Sequence, residues 1–472
     1  MHKKITTAII SAILIFSLAA CGSSSSESVK EGGQSSGSKT KVEQVEGTTD
    51  KTDSDKDRSE KDDSNGSGES STSDGSGSGE STTSADNTTE AVTTVVNTSS
   101  SGMLDTAEIF TERDLTQTAD TSEAQYFTVS DGQDIEIKAA GVYVISGTAS
   151  EVTITVDAAD EDKVQIVLDG VSITNKDFPC IYVKNADKVF VTTSGTNSLT
   201  VSGSFTADGD TNTDAVIFSK DDITLNGTGT LTIDSSDNGI SSKDDLKITG
   251  GTINITAADA AIEANDSIRI ADGNITVNAT NDALHAENDD DNSVGYIYIC
   301  GGTLDLTAGD DGIHGTTVVQ IDGGTIDITA SECIEGTYIQ INDGTVNINA
   351  SDDGINASKK STVYTPTIEV YGGYVTVVMG QGDTDGFDAN GNIYINGGTV
   401  DVTAQSPFDY DGTAEYNGGT IIVNGEETNE ITNQLMGGGP GGGRPGQGDF
   451  GGGQRPDGFD PNNMPNGGQM PN

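Results

Sequence analysis

Between about Lys220 and Gly425 the chain alternates apolar and polar residues in short bursts that recur roughly every 20 to 23 residues. Thr252-Ile253-Asn254-Ile255-Thr256-Ala257 is echoed by Thr303-Leu304-Asp305-Leu306-Thr307-Ala308, Thr325-Ile326-Asp327-Ile328-Thr329-Ala330, Thr345-Val346-Asn347-Ile348-Asn349-Ala350 and Thr399-Val400-Asp401-Val402-Thr403-Ala404. A second alternating stretch precedes each burst, as in Leu246-Lys247-Ile248 or Ile393-Tyr394-Ile395, and a glycine corner such as Gly250-Gly251 or Gly397-Gly398 joins the two. Period-two alternation marks a strand with one buried face, and no segment here carries helical spacing. Two or three short strands per repeat, with glycine corners, predict an all-β right-handed parallel β-helix. Coils stack about 4.8 Å apart, so inward side chains form ladders. One runs Leu231, Ile253, Ile275, Leu304, Ile326, Val346, Val375, Val400, and its neighbour runs Ile233, Ile255, Val277, Leu306, Ile328, Ile348, Val377, Val402. A propeller blade needs about twice this period. Tyr126 to Ser219 keeps the same grammar less regularly and reads as the first coils, with a capping element expected near Met103 to Leu115 because an open β-helix end is an aggregation edge.

Composition narrows the function classes. Of 472 residues, 61 are glycine and 32% are apolar, which suits one elongated core better than several close-packed ones. Lys and Arg total 23 against 75 Asp and Glu, a formal charge of −52, so nucleic acids and anionic lipid surfaces are repelled and cations become the natural partners. No CxxC or Cys/His cluster suggests zinc, and His2, His285 and His314 lie far apart in sequence. Without Trp, only Tyr and Phe are left to stack on a ligand.

The start reads as an export signal: a charged Lys3-Lys4, an apolar run from Ile5 to Leu18, then Leu18-Ala19-Ala20 before Cys21. Leu-Ala-Ala-Cys resembles a bacterial lipobox, which implies cleavage before Cys21, its lipidation, and anchoring by lipid rather than by a helix. The expected organisation is a signal peptide over 1–20, a low-complexity linker over 21–101, the β-helix over 102–430 and a Gly/Pro-rich disordered tail over 431–472. The Ser/Gly/Asp-rich linker cannot bury enough apolar surface to fold, and it is expected to extend through the cell wall on the outer side of the plasma membrane.

The third side of each coil carries acids. Short turns recur as Asp237-Asn238-Gly239-Ile240, Asn281-Asp282-Ala283-Leu284, Asp310-Asp311-Gly312-Ile313, Asp352-Asp353-Gly354-Ile355 and Asp383-Thr384-Asp385-Gly386-Phe387. The residue after the apolar one is Ser241, Glu263, His285, His314, Asn356 and Asp388 in turn, and the shorter Glu332-Cys333-Ile334-Glu335 fits with a deletion. Stacking places these acids about 4.8 Å apart, at a cost on the order of 1 kcal/mol per pair in water. Asp221 to Gly425 holds 33 acids against five bases, so internal salt bridges are not the main compensation. Calcium fits carboxylates shared between coils, and the candidate ligands are Asp310, Asp311, Asp352, Asp353, Asp383, Asp385 and Asp388. The alternative is that Asp, Asn and Gly are there only because they make good turns.

Catalysis is not nominated by this pattern. A uniform acidic ladder offers many carboxylate pairs and singles out none. Arg269 stands on the same outward row as Lys247, Tyr298, Gln320, Gln340, Glu369 and Tyr394, where it is a candidate base for a calcium-dependent polysaccharide lyase. As a binding surface, the outward rows offer Asp305, Asp327 and Asn347 with Asn254 and Asp401 on one strand, and Tyr298 and Tyr394 on the other. Tyr364, Tyr371, Tyr374, Tyr410 and Tyr416 add aromatic surface toward the C-terminal coils. Cys180, Cys300 and Cys333, three thiols beyond Cys21, read as small residues buried in coil stacks.

Three stretches carry a family likeness. They are Gly141-Val142-Tyr143-Val144-Ile145-Ser146-Gly147-Thr148, the run from Lys163 to Asn175, and the run from Cys180 to Val189. With the DDGI-type turns they resemble the carbohydrate-binding-domain lipoproteins of clostridia and related Firmicutes. That resemblance implies a pectate-lyase-like parallel β-helix with bound calcium and affinity for cellulose and pectic polysaccharides such as polygalacturonate. The expectation is a monomeric, lipid-anchored surface protein that binds polysaccharide without cleaving it. A pectate lyase and a structural adhesin are the alternatives.

Overall fold

A computed structural model describes residues 102–288, 291–381 and 384–433; the signal, the linker, Cys21, Asp383 and the tail beyond 433 lie outside the described residues. No helix occurs among the described residues. The chain winds into a parallel β-helix whose coils contribute to three sheets in a fixed order. In a typical coil these are Asp245–Ile248 in the first sheet, Thr252–Ala257 in the second and Ile262–Ala264 in the third. The next coil repeats them at Ser267–Ile270, Asn274–Ala279 and Leu284–Ala286. Residues pair in register from coil to coil, Ile253 with Ile275 and Ile275 with Leu304. Pairings between described coils are parallel, and at the C-terminal end Glu426–Thr428 folds back antiparallel onto Thr420–Val423. Its Glu426 and Glu427 place charge on that last edge, which discourages pairing with another chain.

Alternation explains the core. The two expected ladders are buried along their whole length, with no member more than 3% exposed. They belong to one continuous hydrophobic cluster that runs through the coils and toward its C-terminal end includes the tilted pair Phe387 and Phe408, whose ring centroids are 5.4 Å apart. Cys180 and Cys333 are buried free thiols, whereas Cys300 is half-buried. The corners need glycine for two reasons. Gly398 has φ +72°, and a Cβ there would stand 2.7 Å from the backbone of Gly372 on the preceding coil. A side chain at such a corner meets both backbone strain and the coil below.

The segment expected to cap an end does something else. Residues 102–120 run across the outward face of the first sheet, against the direction in which the coils stack. The Met103 N–H donates to Gln340 and the Leu104 N–H to Gln320, while Phe110 packs on Tyr298 with centroids 6.2 Å apart. Farther along, Gln117 bonds Thr249 and Gly227, and the Arg113 guanidinium lies 4.2 Å from the centre of the Phe190 ring. The segment is therefore a strap over the face, because its polar groups match the outward row rather than an open end.

Candidate functional site

The strap decides which outward residues of the first sheet are accessible. Register aligns Thr224, Lys247, Arg269, Tyr298, Gln320, Gln340, Glu369, Tyr394 and Glu415 in one row. Asp114 of the strap is fully buried over the early part of that row. It accepts from the Thr111 N–H and hydroxyl, the Thr224 hydroxyl and Lys188 Nζ at 2.8 Å, with Lys247 Nζ at 3.7 Å. Burial opposes its ionisation, but the Lys188 bond, the Thr111 N–H and the nearby Lys247 charge outweigh it and hold the carboxyl well below the usual range.

Tyr298, expected as an open contact residue, is only 5% exposed. Phe110 covers its ring and its hydroxyl donates to Asp322. Arg269 is tied to Asp245 at 2.5 Å and lies beneath the strap's Asp105 to Ile109. That guanidinium is engaged as a partner and is not poised as a free base.

Beyond Gln340 no described residue of the strap lies on the row, which continues through Glu369, Tyr394 and Glu415. Tyr371 is exposed just after the first-sheet strand, Tyr374 is exposed across the corner on the second sheet in register with Thr345 and Thr399, and Tyr416 is exposed on the last first-sheet strand beside Glu415, while Tyr364 and Tyr394 are half-buried. Tyr338 and Tyr364 make an edge contact at 6.0 Å, and the Tyr371 hydroxyl reaches Glu369 at 3.5 Å. On the second sheet Asp305 and Asp327 are exposed and Asn347 is half-buried, with the Asn347 amide donating to Asp327 at 2.7 Å. Tyr394 and the three polar residues thus lie on open faces, and Tyr298 does not.

The third sheet carries two acidic rows three residues apart. Its outward register runs Tyr182, Phe218, Ser241, Glu263, His285, His314, Glu335, Asn356, Asp388 and Asp409. Beside it stand Asp282, Asp311, Glu332, Asp353 and Asp385. The middle of this surface is compensated from within. His285 bonds Asp282 closely and reaches Glu287 at 3.1 Å. Burial would lower its pKa, but these two carboxylates outweigh burial and raise it to about 10. His314 Nδ1 lies 2.6 Å from Asp311 and 3.2 Å from Glu335, and Lys360 reaches the same Glu335 oxygen at 2.8 Å.

Toward the C-terminal coils these bases run out. Glu332 is pushed up to about 7, first by burial and then by the charges of Glu335, Asp311 and Asp352. Asp353 also rises to about 7 through burial, Asp388 and Glu332, and Asp388 to about 6 through burial, Asp385 and Asp409. Between them Asn356, 9% exposed, donates its amide to Glu332 while its Oδ1 has no hydrogen-bond partner. Burial and mutual repulsion thus hold these carboxyls against ionisation around a buried, unpaired amide oxygen.

Of the expected metal ligands, Asp353, Asp385 and Asp388 fall in this group, whereas Asp310 and Asp352 are exposed on the turns. Asp311 is buried against His314, and Asp383 lies outside the described residues. Glu332 and Asn356 were not singled out as ligands, although the register that aligned their coils already placed them there.

Comparison with known proteins follows the same outline. A family model described as carbohydrate-binding domain-containing protein matches residues 131–381 and 331–429, together more than half of the chain. A relative from Acetivibrio thermocellus with the same description is 39% identical over 124 residues, 25% of this chain and 43% of the relative's own length. A solved structure described as the polysaccharide lyase-like protein from C. thermocellum, in a gadolinium derivative, aligns with a TM-score of 0.42 and 32% identity, over 43% of this chain and 90% of that one.

Proposed function

Since the chain belongs to the carbohydrate-binding domain family, we propose that it is a surface protein that holds polysaccharide without cleaving it, on the C-terminal coils where the first sheet turns into the second. The carrying observation is the gathering of exposed rings at the C-terminal coils, Tyr371 near half-buried Tyr394 on the first sheet, Tyr374 across the corner on the second, and Tyr416 on the last first-sheet strand. Aromatic rings offer flat apolar surface on which the apolar faces of sugars stack. Cellulosic and pectic chains are the ligands proposed. Arg269, committed to Asp245 under the strap, favours binding over a lyase.

Calcium is the proposed cation of the third sheet, centred on Glu332, Asp353, Asp385, Asp388 and the free oxygen of Asn356. In this reading calcium neutralises carboxyls that otherwise repel one another, and it bridges to uronates when the ligand is acidic. Cys21 in its lipobox supports attachment to the outer side of the plasma membrane by lipid, with the linker spanning the wall, and the protein acting as a monomer.

The test is retention on insoluble cellulose and on polygalacturonate, with calcium or a chelator, while absorbance follows unsaturated uronides. Retention without products is expected, weakened by chelation for polygalacturonate and by Tyr371, Tyr374 and Tyr416 to Ala for both. Rising absorbance would make the protein a lyase. Retention indifferent to the tyrosines would move the binding face elsewhere.

A further inference from the structure

The two histidines among the described residues meet on consecutive coils of the third sheet. The rings of His285 and His314 stack with centroids 4.6 Å apart and planes 17° from parallel. Two sets of donor atoms, each within 4.8 Å of one another, share His314: one with Asp282 and His285, the other with Asp311 and Glu335. In the second set all three residues are at most 7% exposed. Ion pairing alone uses only Nδ1 of His314, and its buried Nε2 has no hydrogen-bond partner. A buried imidazole nitrogen without a partner is unusual in a settled ion pair. Sequence separation argued against a zinc site, but coil stacking removes that objection, because residues 29 apart become neighbours.

We propose that Asp311, His314 and Glu335, with Asp282 and His285 of the preceding coil, form a binding site for a divalent transition-metal ion of the zinc and copper class. Imidazole nitrogen beside carboxylate oxygen suits these ions, whereas calcium takes oxygen alone. Imidazole binds a metal in its neutral form, so an entering divalent ion takes the place of any protons the rings carry, and its charge falls among Asp282, Asp311 and Glu335. This site stands apart from the acid-only group around Asp353 and Asp388, and it does not depend on what the first sheet binds.

The experiment loads the untagged full chain, stripped with chelator, with one equivalent of Cu²⁺ in millimolar calcium and records its electron paramagnetic resonance, with Zn²⁺ retention after desalting as a parallel measure. One ion per chain with nitrogen coupling is expected, undisplaced by calcium. His314→Asn should remove nitrogen coupling from His314 and weaken binding more than about tenfold. Asn suits that position, since Asn356 stands two coils on in the same row. His285→Asn and Glu335→Gln give the same reading should His314→Asn fail to fold, and His2→Ala removes the remaining imidazole as a control. Oxygen-only coordination, displacement by calcium, or binding unchanged in the folded variants overturns the proposal. Asp353→Asn should abolish calcium effects and leave the copper signal intact, so the two sites fail separately.

Discussion

One sheet face of this protein is built in two ways. Over its early coils, Thr224, Lys247, Arg269 and Tyr298 lie under the strap, with their charges matched by Asp114 and Asp245 and their ring covered by Phe110. Over its late coils, Glu369, Tyr394 and Glu415 occupy the same row, and no described residue of the strap is laid across them. The backbone is equivalent in both halves, so the repeat supplies a scaffold and the cover decides where a surface remains for a ligand. Residues that read alike in sequence, Tyr298 and Tyr394, therefore have different fates.

Asp114→Ala should break this contrast most severely. It leaves Lys188 and Lys247 buried without their shared partner, and losing one member of such a pair costs about 3–5 kcal/mol. Equilibrium urea unfolding should show the loss, and a change below about 1 kcal/mol would mean the strap is not held by that carboxylate. Replacing Tyr371, Tyr374 and Tyr416 together by Ala should do the reverse at the C-terminal coils. Retention on cellulose should fall about tenfold, the scale of one or two lost aromatic contacts, while the melting temperature stays nearly unchanged.

Acid and base should separate the buried clusters next. The carboxyl of Asp114 titrates below its unfolded value, so the stability it contributes is full above about pH 4 and is lost as pH falls further. Glu332 and Asp353 titrate near 7, above their unfolded values, so in chelator they weaken the fold progressively as pH rises from about 4 through 7. Melting curves in chelator should show both limbs. Asp353→Asn should flatten the upper limb only, and calcium should restore stability there if it binds where proposed. Asp327→Asn on the exposed second sheet should be the smallest change, within about 0.5 kcal/mol. Any large effect of it on retention would move the binding face to that sheet.

The ladders were legible because burial repeats with the strand period: Leu231 through Val400 could be aligned by eye and are all buried. The row of Ser241, Glu263, His285, His314, Asn356 and Asp388 was legible for the same reason. What that row does was not, since compensation by His285, His314 and Lys360 in one stretch and its absence at Asp353 and Asp388 depend on distances across coils. The strap was misread as an end cap because Thr106 to Leu115 lacks periodicity. Its partners also lie far along the chain: Asp114 meets Thr224, and Leu104 meets Gln320. Only tertiary contact reveals such a segment.

The strap's direction has a mechanical consequence. A load pulling on the chain from its N-terminal side reaches Met103 and Leu104 first and peels their bonds to Gln340 and Gln320 one at a time. It then meets the Asp114 cluster, where Lys188, Lys247 and Thr224 share the force together. The coils stay wound until that latch gives way, so a pull from the N-terminal side is absorbed by a yielding strip that can re-zip before it strains the coils.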